Sequence, residues 1–137
     1  MAQMTNLVIK AKELGELQEA LREMLRGSQA RCVLLVNRND GGLIAAEGFT
    51  DSLDTASLAA LAAGAFASSG EIARLIGEPE FGVLYHQGKQ QHVHVNLAGQ
   101  HGLLMTVFDD TTTVGLVRLC ARKASVRIDV ALSGASG

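Results

Sequence analysis

The sequence predicts an α+β sandwich, a five-stranded antiparallel sheet with helices on both faces, in the order α-β-β-α-β-β-β-α. Three observations predict it. Helical periodicity marks both ends and the middle of the chain. Five short apolar runs lie between, set off by turn signals. Two of those runs, CVLLV and LLMTVF, have no polar face and need cover on both sides, so they belong at the centre of the sheet. One central helix on one face and two terminal helices on the other would cover every apolar stripe.

Taken in order, residues 6–26 read as the first helix. Leu14, Leu17, Leu21 and Met24 share one face, and Glu13, Glu16, Glu19, Arg22 and Glu23 occupy the others. Thr5 or Asn6 is placed to cap its start and Gly27 to end it. Cys32–Val36 is the first strand. Asn39-Asp40-Gly41-Gly42 is a strong hairpin signal leading to Leu43–Glu47. Asp51 or Asp54 then caps a helix that runs to about Ile76 and stops at Gly77, with Pro79 just beyond.

The second half is a meander. Phe81–Gln87 turns at Gly88-Lys89 into Gln91–Leu97, which turns at Ala98–Gln100 into Gly102–Phe108. The runs LIAAE and FGVLYHQ are the expected edges. FGVLYH holds no Lys or Pro, the residues that usually blunt an open edge, so it reads as a strand that pairs with a second copy. A last helix starts near Thr113 and continues through Ala124; its end is ambiguous, since Val126–Val130 alternates like a strand. The terminal SGASG reads as a frayed tail, giving one domain over residues 1–137 with an ordered core of about 5–130.

Composition narrows the function. The chain has 137 residues, 47% of them hydrophobic but only 4% aromatic, so its core is aliphatic. A net charge of −2 leaves no electrostatic footprint for nucleic acid or anionic membrane. Cys32 and Cys120 sit in apolar stretches and read as buried thiols of a reducing compartment. The N-terminus has no signal-peptide core, and no apolar run reaches the length of about 18 residues that a membrane span needs. These features predict a cytoplasmic protein.

The most unusual stretch is the central helix, which carries no charge from Thr55 to Gly70. Leu58, Leu61, Ala62, Ala65, Phe66, Ile72 and Leu75 have the spacing for the side that meets the sheet. Ala56, Ala60, Ala63, Gly64, Ala67 and Glu71 form a small-residue stripe on the outside. Burial of the whole helix inside a monomer is the alternative.

The stretches LDTASLAALAAG, ARLIGEPEF, YHQG and VFDDTTTVGLVRL, together with the element order, resemble the Roadblock/dynein light chain family, in particular its bacterial MglB-like branch. The resemblance covers residues 4 to 128. It implies the profilin-like Roadblock fold and a homodimer whose strands after the central helix pair across a two-fold axis. Phe81, Val83, Leu84, Tyr85 and Phe66 are then the dimer-interface residues. It also implies that the outer stripe of the central helix holds a small Ras-like GTPase of the MglA type and accelerates GTP hydrolysis by positioning the GTPase's own catalytic groups, in cell polarity or motility control. A non-catalytic Roadblock scaffold in a GTPase or signalling complex is the alternative. The sequence departs from the longer C-terminal extension that some MglB-like proteins use in contacting their GTPase, which puts a nucleotide-exchange role in doubt.

No catalytic chemistry of its own is expected. There is no phosphate-binding G-x-x-x-x-G-K-[ST] and no G-x-S-x-G elbow. No cofactor and no metal are expected. His92 and His94 share a strand face, but a two-residue turn at Gly88-Lys89 sets them opposite Tyr85 and Val83, with His86 on the other face and no third ligand. If these histidines were interfacial, protonation near pH 6 would loosen the dimer, and a histidine-based metal or small-molecule sensor is the most distant alternative. Arg74, in the last turn of its helix, reads as a complement to the helix dipole rather than as a catalytic arginine. Asp109-Asp110 with Thr111–Thr113 reads as a turn and helix start. Arg118, Arg122, Lys123 and Arg127 form a basic face on the last helix, available to the acidic first helix.

Overall fold

A computed structural model of the chain describes residues 8–135. The first strand, β1 (Cys32–Asn37), is buried at every position, as a run with no polar face requires. It pairs antiparallel with β2 (Leu43–Gly48) on one side and with β5 (Gly102–Asp109) on the other. β4 (Gln91–Ala98) pairs with β5, and β3 (Val83–Gln87) pairs with β4, giving the order β2-β1-β5-β4-β3. β2 and β3 are the two edges, as their composition predicted. Gly48 lies where β2 leaves the sheet, at φ 103, and a Cβ there would stand 2.4 Å from the Arg31 carbonyl oxygen, so only glycine fits.

Helix α2 (Thr55–Leu75) covers one face, and helices α1 (Ala11–Ser28) and α3 (Val114–Ala135) lie together on the other. This is the five-stranded sandwich expected, with two cores. Leu17, Leu21, Val33, Leu35, Leu104, Phe108, Val117 and Ile128 fill the side under α1 and α3. Cys32, Leu34, Val36, Val95, Leu103 and Met105 face α2.

Several local expectations are corrected. Helix α1 starts at Ala11 after Lys10, whose backbone N–H donates to the Glu13 carboxylate at 3.1 Å; Thr5 and Asn6 lie outside the described residues. It ends at Ser28, with Gln29 in the left-handed conformation. The β3–β4 register differs by two residues, so that Tyr85 faces His94 and Gln87 faces His92. The reason is the turn: the Gly88 N–H donates to the Gln91 carbonyl at 3.1 Å, so Lys89-Gln90 are the central pair rather than Gly88-Lys89. Finally, the end of α3, ambiguous in the sequence, lies at Ala135. Ile128, Ala131 and Leu132 continue the buried stripe of Val117, Ala121 and Ala124, and helical packing overrides the local alternation at 126–130. Residues 133–135 of the expected tail belong to this helix, and 136–137 lie outside the described residues.

Candidate functional site: the outer face of α2 and the open edge of β3

Asp54 fixes the start of α2. Its carboxylate accepts the Ser57 N–H at 3.1 Å and the Ser57 hydroxyl at 2.6 Å, and these bonds, the hydroxyl's first, hold its pKa below the usual value. Ala59, Ala62, Ala63, Phe66, Ser69 and Ala73 then turn onto the sheet. The inner side of α2 is therefore built mainly of alanine, which lets the helix lie close to the strands.

The larger side chains point the other way. Leu61 is 71% exposed, Ile72 57% and Leu75 84%. Leu61, Ala65, Ile72 and Leu75 do not face the sheet as their spacing suggested, whereas Ala62 and Phe66 do. Of the small-residue stripe, Ala56, Ala60, Gly64, Ala67 and Glu71 are exposed. Ala63 is not; it is buried on the sheet. Nothing lies within 4 Å of a Cβ built at Gly64, so its smallness serves no contact in the monomer.

The helix thus carries two outward stripes with different neighbours. On the small-residue side, Ala60 and Ala63 adjoin Gly41 in the β1–β2 turn. On the other side, Leu58 shares a cavity of ≈ 330 Å³ with Phe49, Val93 and Val107, so the stripe of Leu61, Ala65 and Ile72 follows the β4–β3 side of the sheet. That is where β3 ends the sheet with one side of its backbone unpaired by any strand among the described residues.

Around this edge, Val83 is exposed and Phe81, Leu84 and Tyr85 are half-buried. Leu84 packs toward the α2 core. Tyr85 points to the opposite face and stacks on Phe108, with ring centroids 6.1 Å apart. Phe66, expected at a dimer interface, is instead buried under α2 with Arg38 above its ring, 5.6 Å from the centroid. Sequence reasoning missed the outward Leu61, Ile72, Leu75 and Ile76, and the clamp made by Arg38; an apolar helix without a polar face gives no signal for which side is inside.

The other candidates find structural roles. Arg74 pairs with Glu71 on its own helix. Asp109 accepts the Thr111 N–H and hydroxyl, Thr113 accepts the Leu116 N–H, and Asp110 meets His92 Nε2 at 2.8 Å. Arg127 donates to Glu23 at 2.8 Å, joining α3 to the acidic α1. Cys32 and Cys120 are free thiols, and burial pushes the Cys32 thiol up. His92 and His94 are buried on the α3 side of the sheet and His86 is exposed on the other. Among the described residues no three His, Cys, Asp or Glu side chains come together as a metal-ligand set. By length and composition α2 could span a bilayer, but here it lies along a sheet.

An apolar helix face beside an open sheet edge marks a surface for protein association, the arrangement of a regulatory interaction module. The chain belongs to the Roadblock/LC7 domain family, which matches residues 16–108. It is similar to MglB of Myxococcus xanthus, with 35% identity over 93% of this chain and 96% of that one and a TM-score of 0.86. It is also similar to the gliding protein MglB of Thermus thermophilus, with 33% identity over 95% and 98% and a TM-score of 0.88. A profilin of Schizosaccharomyces pombe, 12% identical over 80% and 94% with a TM-score of 0.59, shares the fold alone. No curated protein matches the chain by sequence.

Proposed function

We propose that this protein is a homodimeric, cytoplasmic regulator of a small Ras-like GTPase of the MglA type, one that activates GTP hydrolysis without contributing a catalytic residue. The observation that carries this reading is the outer face of α2: Ala56, Ala60, Gly64, Ala67 and Glu71 lie exposed on a helix that carries no charge before Glu71, in a chain similar to MglB over nearly its whole length. Small side chains let a partner's backbone approach closely and lose little rotamer entropy. Arg74, the only arginine on α2, lies in the last turn beside Glu71, where it complements the helix dipole, and the reading assigns it no catalytic part. Acceleration then comes from holding the GTPase's switch loops with water and phosphate in line.

The dimer is read from the other outward stripe. Two β3 edges pairing antiparallel would continue the sheet through Phe81, Val83, Leu84 and Tyr85, and would bring Leu61 and Ile72 of the two α2 helices together.

Phosphate release from an MglA-type GTPase, with and without this protein, tests the proposal. Acceleration of about ten-fold or more supports it, a change near 1.4 kcal/mol in barrier height. Ala67→Arg is expected to abolish the effect and leave folding intact, because Ala67 is exposed. Binding without acceleration would leave only a scaffold, and absence of binding would overturn the reading.

A further inference from the structure

On the face away from α2, a groove of ≈ 470 Å³ opens between α3 and the β3–β4 edge, within the size range of small-molecule sites. Val83, Ala121 and Val126 give it apolar walls. Its polar groups are unusual for a structural gap. His94 lines it while only 1% exposed, and neither ring nitrogen has a hydrogen-bond partner among the described residues. Asn96, also buried, donates through Nδ2 to the Ser125 hydroxyl at 2.8 Å and to the Leu97 carbonyl at 3.0 Å, but its Oδ1 accepts nothing. A neutral imidazole offers one donor and one acceptor, so the floor presents a donor and two acceptors that folding alone leaves unused. Leaving such groups unpaired is costly, which argues for something that engages them.

The rim adds charge. Arg118 and Arg122 stand one helical turn apart on α3 and both line the groove. Neither has an ion-pair partner among the described residues, unlike Arg127 on the same helix. Two neighbouring guanidinium groups above an apolar cleft match a carboxylate, which takes paired N–H donors in one plane.

We propose that this groove binds a small apolar carboxylic acid bearing a hydroxyl group. The carboxylate meets Arg118 and Arg122, the hydrocarbon lies against Val83 and Val126, and the hydroxyl exchanges hydrogen bonds with His94 and Asn96. The site lies on the opposite side of the sheet from the outer face of α2, so the inference does not depend on the GTPase reading.

The test uses the full chain with isotope-labelled histidine and titrates β-hydroxyoctanoate, following the His94 ring signal, assigned by its loss in His94→Gln. A saturable shift with a Kd below about 1 mM is expected. The Arg118→Gln/Arg122→Gln variant, substituted at exposed positions and checked for folding by circular dichroism, is expected to bind about ten-fold more weakly. Octanoate, which lacks the hydroxyl, is expected to bind more weakly than the hydroxy acid, and octanediol, which lacks the charge, more weakly still. Absence of a saturable His94 shift overturns the proposal. So does binding unchanged in the double variant, or equal binding of octanediol, which would be simple apolar partition.

Discussion

His94 and Thr106 stand directly opposite one another on β4 and β5, both buried on the side covered by α3, and neither the His94 ring nitrogens nor the Thr106 Oγ1 has a partner among the described residues. Burial, with the Arg118 charge adding to it, lowers the His94 pKa to about 4. In the unfolded chain the imidazole returns to its ordinary value near 6.5. Between these values the unfolded state holds a proton that the folded state does not, so stability falls as pH drops through 6.5 toward 4. Going from pH 7 to pH 5 is expected to remove about 2 kcal/mol by this route. His94→Leu should match the native protein at pH 7 or exceed it, and should lose that much less between pH 7 and pH 5. Urea unfolding of both proteins at the two pH values checks this; an equal loss in both would refute it. The expected dimer loosening near pH 6 has no support from His92 or His94, which lie under α3.

Arg38 is a clamp between layers. Its Nη2 meets Glu80 Oε1 at 2.5 Å, and its guanidinium covers Phe66. It thereby ties the β1–β2 turn to the segment entering β3 and to the underside of α2. A partly exposed ion pair contributes about 0.2–1 kcal/mol, and a cation–π contact about 0.5–1 kcal/mol. Arg38→Ala is therefore expected to cost about 1–2 kcal/mol in denaturant unfolding, and Glu80→Gln less than half of that. Equal costs would show that the Phe66 contact contributes nothing.

Those two residues also show where reading the sequence works and where it stops. The strands, their edges and the central place of CVLLV and LLMTVF were legible because each run's polarity states how many faces are covered. Helices α1 and α3 were legible where one face is polar, although α1 begins at Ala11 and not near residue 6. Helix α2 was legible as a helix but not in its rotation, since an alanine-lined inner side and a leucine-rich outer side are both apolar. Leu61, Ile72 and Leu75 were therefore read as inside and Ala63 as outside, while Ala62 and Phe66 were rightly set against the sheet. Arg38 and Phe66 are far apart in sequence, and only the fold makes them neighbours. The β3–β4 register failed for a smaller reason: Gly88 closes the turn without being one of its two central residues.

Leu61 and Ile72 expose apolar surface on the outer side of α2. In an isolated protomer, aspartate at either site would meet water and cost little. Buried between two copies, it would bring unpaired charges together. If two copies pair through this stripe, the native protein is expected to sediment as a dimer, and Leu61→Asp and Ile72→Asp each to give a folded protein, with native circular dichroism, that sediments as a monomer at the same concentration. A native dimer mass in both variants would move the interface away from α2.

Gly64 offers the sharpest separation between stability and function. It sits in the middle of α2, where glycine costs about 1 kcal/mol relative to alanine. The structure gives no compensating reason, because a Cβ at this position meets nothing within 4 Å. Gly64→Ala is therefore expected to stabilise the protomer by about 0.5–1 kcal/mol in denaturant unfolding. If the bare backbone is kept so that another surface can approach it, the same change should weaken GTPase binding or the dimer while the fold gains. Stabilisation with binding and association unchanged would mean that no partner comes close at Gly64, and the contact would then have to be sought on the Leu61–Ile72 side of the helix.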